Sequence, residues 1–449
     1  MSLPRYLQYK ESGAPWLGQV PVDWDVTPLK SCFAIYGGST PKSDETSYWE
    51  GDIIWVSPAD LSKLASFYIE DSARKISEAG LKSCGATLVP EGSIVLSTRA
   101  PIGSLAIATT ELCTNQGCKS LIPGEGIQSL FYAYFLSVAT EALNVRGKGT
   151  TFLELSADEL GAFRVPRPSF SEQIAISAFL THETRKIDAL IIEQEKLLTL
   201  LAEKRQATIS HAVTRGLNPD APLKDSGVAW LGEVPAHWDV FPIKRDLTFL
   251  TSGSRGWAEH YADDGALFLR IGNLTRDSVN LDLTDIQRVE VPKGTEGQRT
   301  RVQSGDLLFS ITAYLGSVAV VPENLEPAFV SQHIALVRLR KEKVLPLWVA
   351  YLSLSWVGKT YLATQGYGGT KVQLSLDDVA CLLTTAPPLE EQRTILKFLE
   401  REVVKVDALA AKAERAIDLL RERRSAMVAA AVTGKIDVCE QPAALDAAA

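Results

Sequence analysis

The 449-residue chain has no uncharged apolar run of 18 residues, and its opening, Met-Ser-Leu-Pro-Arg, joins no basic leader to an apolar stretch. A membrane-spanning or secreted product is therefore not expected, and a cytoplasmic location is. Cysteine is sparse: six residues, at positions 32, 84, 113, 118, 381 and 439, with no repeated ligand spacing. Cys113 and Cys118 stand five apart, but their counterparts later in the chain are not cysteine. No metal site is expected, and reduced thiols are. There is no excess of positive charge, since 46 Lys and Arg face 54 Asp and Glu, for a net charge of -8 and a pI near 5.4. That excludes a surface coated in basic residues but leaves room for a local basic groove. A Walker loop, a dinucleotide fingerprint, a zinc-protease pair and a serine elbow are all missing in context. The glycines at 147 and 149 and from 366 to 369 do not lead into Gly-Lys-Ser or Gly-Lys-Thr before a helix. Asp52, Glu91 and Asp306 read as turn residues, because a metal-dependent nuclease needs several acidic ligands around one ion.

What is present is a duplication. Glu172, Gln173, Phe179, Leu180, Lys186, Ile187, Asp188, Ala189, Leu190, Glu203, Arg205, Ala212, Val213 and Thr214 return 219 residues later. The second set is Glu391, Gln392, Phe398, Leu399, Lys405, Val406, Asp407, Ala408, Leu409, Glu422, Arg424, Ala431, Val432 and Thr433. A match held in register over more than forty positions marks an internal repeat. Both copies lack proline and glycine and carry apolar residues three and four apart, so each predicts a long helix with one stripe to bury. About forty residues make a rod of about 60 Å. A rod that long needs a partner along its length, and its own duplicate is one, packed antiparallel as a coiled coil. The packing residues expected are Ile187, Leu190, Leu198, Leu201, Val406, Leu409, Ala413 and Leu420. The alternative is that each helix packs on its own domain.

A second phrase is also repeated. Trp16-Leu17-Gly18, Val20-Pro21 and Trp24 recur as Trp230-Leu231-Gly232, Val234-Pro235 and Trp238, 214 residues on. Trp16 and Trp230 could stack on bases, but their fixed Leu, Gly and Pro neighbours favour packing at the domain entry. Between each entry phrase and its rod lie short strands punctuated by Gly, Pro and Asp, at Gly51 to Val56, Gly92 to Ser97, Leu105 to Ala108, Leu267 to Ile271, Gly305 to Ser310 and Ile334 to Leu339. Helices are expected at Ile127 to Ala142 and Pro346 to Tyr361, which makes each domain mixed α/β. The organisation expected is an α/β domain over 1–168, a helical spacer over 169–216, a second α/β domain over 217–387, a second spacer over 388–436 and a disordered tail over 437–449. Prolines at 166, 168, 387 and 388 bar strand or helix from running through the joints.

Basic residues fall in the loops of both domains: Arg74, Lys75, Lys82, Arg99, Arg146 and Lys148 in the first, and Arg255, Arg270, Arg276, Arg299, Arg301 and Lys371 in the second. Arginine can contact guanine in a bidentate manner, and lysine can hold phosphate. These are the candidate DNA-binding residues. A solvated face is the plainer reading of any one of them, but two domains with a common scaffold and different loops suit two different targets. His182 and His211 have Arg401 and Ala430 as register partners, which points to surface or packing roles.

At the rods and at the Trp-Leu-Gly-x-Val-Pro-x-x-Trp entry, the sequence resembles the specificity subunits of type I restriction-modification systems. The pieces that carry the resemblance run from Glu172-Gln173 through Ile187-Asp188-Ala189-Leu190 to Ala212-Val213-Thr214, and over the duplicate ending at Ala431-Val432-Thr433-Gly434. The resemblance implies two mixed α/β target recognition domains separated by long conserved helices, each domain reading one half of a split site in double-stranded DNA. It implies a noncatalytic chain with no cofactor of its own. Two modification subunits would use S-adenosylmethionine to methylate adenine, and two restriction subunits would use ATP and magnesium to translocate and cut. The rods would then act as a ruler; an unspecified gap of six to eight base pairs spans roughly 20 to 27 Å. A noncatalytic scaffold whose paired domains bind proteins is the alternative, compatible with the duplication alone.

Overall fold

A computed structural model describes residues 3–99, 101–147, 153–292, 295–312, 315–366 and 373–441. The chain forms two compact units, residues 1–194 with 416–449, and residues 195–415. Both long helices are present, Phe170–Arg215 and Leu389–Val432, and each contributes residues to both units. Ser169 opens the first, its Oγ accepting from the Glu172 amide. Gly216 and Gly434 follow the two helices with φ of 76° and 70°, the left-handed conformation that ends a helix without strain only at glycine. At Gly434 a side chain would also meet the Pro21 ring, 2.3 Å from the added Cβ.

In the first unit, the described residues form a five-stranded mixed sheet in the order Phe33–Gly37, Cys118–Pro123, Ile94–Ser97, Leu105–Ala108, Tyr68–Ile69. The second unit carries the corresponding four strands, Leu247–Ser252, Ile334–Leu339, Leu307–Ser310 and Val318–Val320. The central strands Ile94–Ser97 and Leu307–Ser310 are buried throughout, as strands covered on both faces must be. The expected continuous helices are instead broken pairs: Ser129–Val138 then Thr140–Arg146, and Pro346–Leu354 then Trp356–Gln365. In the second pair Ser355 starts a new helix, its Oγ accepting from the Gly358 amide, and a Cβ at Gly358 would lie 2.2 Å from the Leu352 carbonyl. The two segments approach too closely there for any other residue.

The repeated signatures have matching structural roles. Gln173 is fully buried; its Oε1 accepts from the Gln128 amide at 2.9 Å, and its Nε2 donates to the carbonyls of Pro168 and Gly126. Gln392 does the same with the Leu345 amide and the carbonyls of Pro387 and Lys343. Beside them Glu172 accepts from the Trp24 indole at 2.8 Å and from the Tyr6 hydroxyl at 2.9 Å, and Glu391 accepts from Trp238 at 3.1 Å. Burial, then the Glu172 carboxylate, push the Tyr6 hydroxyl far above its ordinary pKa, so it serves only as a donor. Each rod is thus bolted at its first turn to the domain preceding it. Trp16 stacks on Phe163 with ring centroids 4.9 Å apart, and Trp230 tilts against Tyr361 at 5.3 Å.

Along the rods, residues 180, 184, 187, 191, 194, 198, 201 and 205 are all buried or half-buried, as are their duplicates 399, 403, 406, 410, 413, 417, 420 and 424. The alternating spacing of four and three is a heptad seam. Of the packing residues expected from sequence, Ile187, Leu201, Val406 and Ala413 are buried, and Leu198 and Leu420 half-buried. Leu190 and Leu409 are corrections: they are 51% and 50% exposed. A two-position heptad seam is narrower than a full apolar face; it takes Ile191 and Ala410 and leaves the leucine one position earlier outside. The helices meet through ion pairs inside each unit. In the first, Arg424 Nε lies 2.9 Å from Asp188 Oδ1; in the second, Arg205 Nε lies 3.0 Å from Asp407 Oδ1. These are the same pair seen from each copy of the repeat. Of residues 437–441, the described part of the expected tail, Val438 is fully buried in the first unit's core.

Candidate nucleic-acid interface

Lys148 and Lys371 lie outside the described residues. In the first unit the Arg74 guanidinium lies 3.7 Å from the Trp49 ring centroid and 5.7 Å from that of Trp55, a cation held on an aromatic corner. Lys75 pairs with Asp71 at 3.2 Å, and the Ser72 amide together with that ammonium holds the Asp71 carboxyl below its ordinary pKa. Lys82 pairs with Glu78 one helical turn back at 3.3 Å. Exposed pairs of this kind contribute about 0–1 kcal/mol, so a phosphate can compete for either lysine. Arg99 meets Glu154 at 3.1 Å across an antiparallel bridge. Arg146 closes its helix 3.7 Å from Glu159, with its guanidinium 5.5 Å from the centre of Phe163.

In the second unit Arg270 pairs with Asp285 at 3.0 Å, and Arg299 donates to Thr251 Oγ1. Arg301 is exposed and its backbone bridges to Phe329. Arg276 is exposed in the neighbourhood of Lys359, whose ammonium is pushed below its ordinary pKa, first by burial. Arg255 is exposed and makes no ion pair among the described residues. It lines a cleft of about 430 Å³ whose other polar walls are Ser252, Thr312, Gln332, His333 and Gln373. Gln332 Nε2 and His333 Nε2 lie 3.1 Å apart there. The structure therefore brings one predicted arginine into a polar cleft and leaves the other basic residues dispersed.

The glutamines, His333 and Thr312 carry no motif and escaped the reading by basic residues. Their only sequence signal is position, next to the strand beginnings and ends that both domains share. Asp306 does sit at a turn, accepting from the Gln303 amide at 2.7 Å, but it is also buried against Arg338 in a two-point ion pair of 2.6 and 2.7 Å. That arginine is structural. Among the described residues there is no group of three or more His, Cys, Asp or Glu placed to hold a metal ion, and no helix long and apolar enough to cross a membrane. What the site offers is hydrogen bonding: arginine and glutamine side chains facing solvent are the ones that pair in two-point fashion with guanine and adenine edges.

A duplicated α/β protein with paired recognition-type domains and long helices is the class that fold and site define. The chain belongs to the family of the type I restriction modification DNA specificity domain, whose model matches residues 21–199 and 239–414. It is 38% identical over 278 residues to the MjaIX specificity subunit of Methanocaldococcus jannaschii, a match that covers 60% of this chain and 61% of that protein's length. With the MjaVIII specificity subunit of the same organism it shares 20% identity over 94% of each chain. With the EcoKI specificity subunit of Escherichia coli K12 it shares 22%, over 93% of this chain and 90% of that one. The fold is similar to that of the HsdS subunit from Thermoanaerobacter tengcongensis, with a TM-score of 0.55 and 17% identity over 92% of this chain and 98% of that one. It is also similar to a chain from a structure addressing assembly and conformational transition of the type I R-M system, with a TM-score of 0.66 and 16% identity over the same shares.

Proposed function

We propose that this chain is the DNA-specificity subunit of a type I restriction-modification complex, each recognition domain reading one half of a bipartite site. The observation that carries the reading is the doubled family match, one copy per repeat, on domains whose loops differ. The recognition domains are residues 1–168 and 217–387, and the spacers are 169–216 and 388–436. Candidate DNA contacts are the basic residues placed above, with phosphates holding the register and base edges setting the sequence.

The long helices act as an antiparallel coiled coil whose length sets the unspecified spacer. The heptad burial and the reciprocal ion pairs Asp188–Arg424 and Arg205–Asp407 support this. Leu190 and Leu419 in one unit, and their duplicates Leu409 and Leu200 in the other, are all half or more exposed. An apolar pair repeated in this way suits two copies of one partner, the modification subunits. S-adenosylmethionine, ATP and magnesium belong to the modification and restriction subunits; this chain contributes recognition and no catalysis.

The test is an exchange of residues 217–387 for the corresponding domain of a relative with a different target. Co-expressed with its modification subunit, the hybrid should methylate a site with one half replaced and the other half and spacer retained. A hybrid that assembles and methylates the original site in full contradicts the proposal.

A further inference from the structure

The two units can be aligned by backbone pairing alone, without reference to side chains. Gly38 donates to the Cys118 carbonyl at 3.3 Å, and Gly253 to the Ile334 carbonyl at 3.1 Å. Ser39 donates to Thr114 and Ser254 to Val330; Thr98 donates to Gly117 and Ile311 to His333; Leu155 donates to Thr98 and Leu374 to Ile311. Ser97 Oγ donates to the Arg99 carbonyl and Ser310 Oγ to the Thr312 carbonyl. The isolated bridge between Arg99 and Glu154 has its twin between Thr312 and Gln373. At both glycines an added Cβ would fall about 2 Å from a carbonyl oxygen, 2.0 Å from that of Asn115 and 2.1 Å from that of Val330, so backbone approach locks the frame in each unit.

Within this common frame the solvent-facing side chains fall into three matched positions. Thr40 stands where the other unit has Arg255. Arg99 stands where it has Thr312. Gln116 and Gln332 occupy the same place. Thr40 hydrogen-bonds Gln116 in the first unit, and Arg255, Thr312 and Gln332 line one cleft in the second. Each unit thus presents one arginine, one threonine and one glutamine, with arginine and threonine exchanged between the positions. A packing role would not require such a reversal, because these side chains are exposed or half-buried. A readout role would, since moving an arginine from one side of a fixed glutamine to the other moves the guanine it selects.

We infer that these three matched positions determine base identity: Arg255 with Gln332 in the half-site read by the second unit, and Arg99 with Gln116 in the half-site read by the first. This rests on the DNA-specificity reading. Each arginine pairs with a guanine through its O6 and N7, and each glutamine pairs with an adenine through its N6 and N7. Glu154 holds Arg99 at 3.1 Å, so the first unit's arginine is more narrowly positioned than Arg255.

The test maps adenine methylation in cells co-expressing the full chain, as wild type, R255T or R99T, with its modification subunit. R255T is expected to make one position of one half-site degenerate, with roughly tenfold or greater loss of discrimination there, and R99T to do the same in the other half. An unchanged motif in both variants overturns the inference. So does an equal change in R288Q, which only breaks the remote pair of Arg288 with Glu326. If R255T abolishes methylation in cells, the purified complex is assayed on duplexes carrying each base at each half-site position. Activity restored by particular bases at one position supports the inference, and uniform loss over the panel overturns it. A wild-type complex that methylates adenine with no sequence preference would instead overturn the DNA-specificity reading beneath it.

Discussion

Replacing Gln173 by leucine keeps the side chain's approximate volume while removing all three of its hydrogen bonds. The Gln128 amide and the buried Pro168 carbonyl would lose their partner, whereas the Gly126 carbonyl lies at an exposed glycine and can turn to water. Each buried orphan costs about 1–3 kcal/mol, and the apolar replacement recovers a little, which leaves a loss of about 2–5 kcal/mol. Gln392→Leu should cost a similar amount, because the Leu345 amide and the buried Pro387 carbonyl are orphaned while the Lys343 carbonyl belongs to an exposed residue. Urea unfolding followed by tryptophan fluorescence measures the loss, since Trp24 and Trp238 are buried beside the two glutamines. Hydrogen exchange then assigns each loss to its unit. A cost below about 1 kcal/mol for both variants would refute the argument that these glutamines anchor the rods.

Asp188→Ala and Arg424→Ala should couple by about 0.3–1 kcal/mol in a double-mutant cycle, and Asp407→Ala with Arg205→Ala likewise, as half-exposed pairs do; zero coupling in both cycles would remove the pairs from the account. Leu190→Asp and Leu409→Asp should leave stability within about 0.5 kcal/mol, being exposed, yet weaken co-elution with the modification subunit on gel filtration. Burial pushes the Cys113 and Cys118 thiols up to about 12, so at pH 8 they should resist alkylation in the folded chain and react only on unfolding. Because their folded pKa values are raised, their contribution to stability is fully present below the ordinary thiol value and lost as pH rises toward about 12; pH-dependent unfolding checks the sign.

The rods, the Glu-Gln starts and the tryptophan entries were legible because duplication holds them in one register. Their roles became visible only in three dimensions: Trp24 donates to Glu172, which is 148 residues away in the chain, and no local pattern records that bond. Leu190 was misplaced because a helical stripe read at 3.6 residues per turn does not separate it from Ile191, whereas a 3.5-residue seam does. The helix from Ile127 broke at Ala139, a residue with strong helix propensity, so tertiary packing overrode the local signal. Gln332 and Thr312 were invisible for another reason. Loops of unequal length shift the offset between the two domains, and only strand register restores the equivalence with Gln116 and Arg99.

The account's central claim is that this chain specifies a DNA sequence. Sequencing-based maps of adenine methylation, taken from cells with the intact gene and from cells deleted for it, test it most directly. Loss of a single bipartite motif on deletion is predicted, and would give both half-sites and the spacer together. An unchanged methylation pattern, with the modification subunit still expressed and active, would contradict the claim.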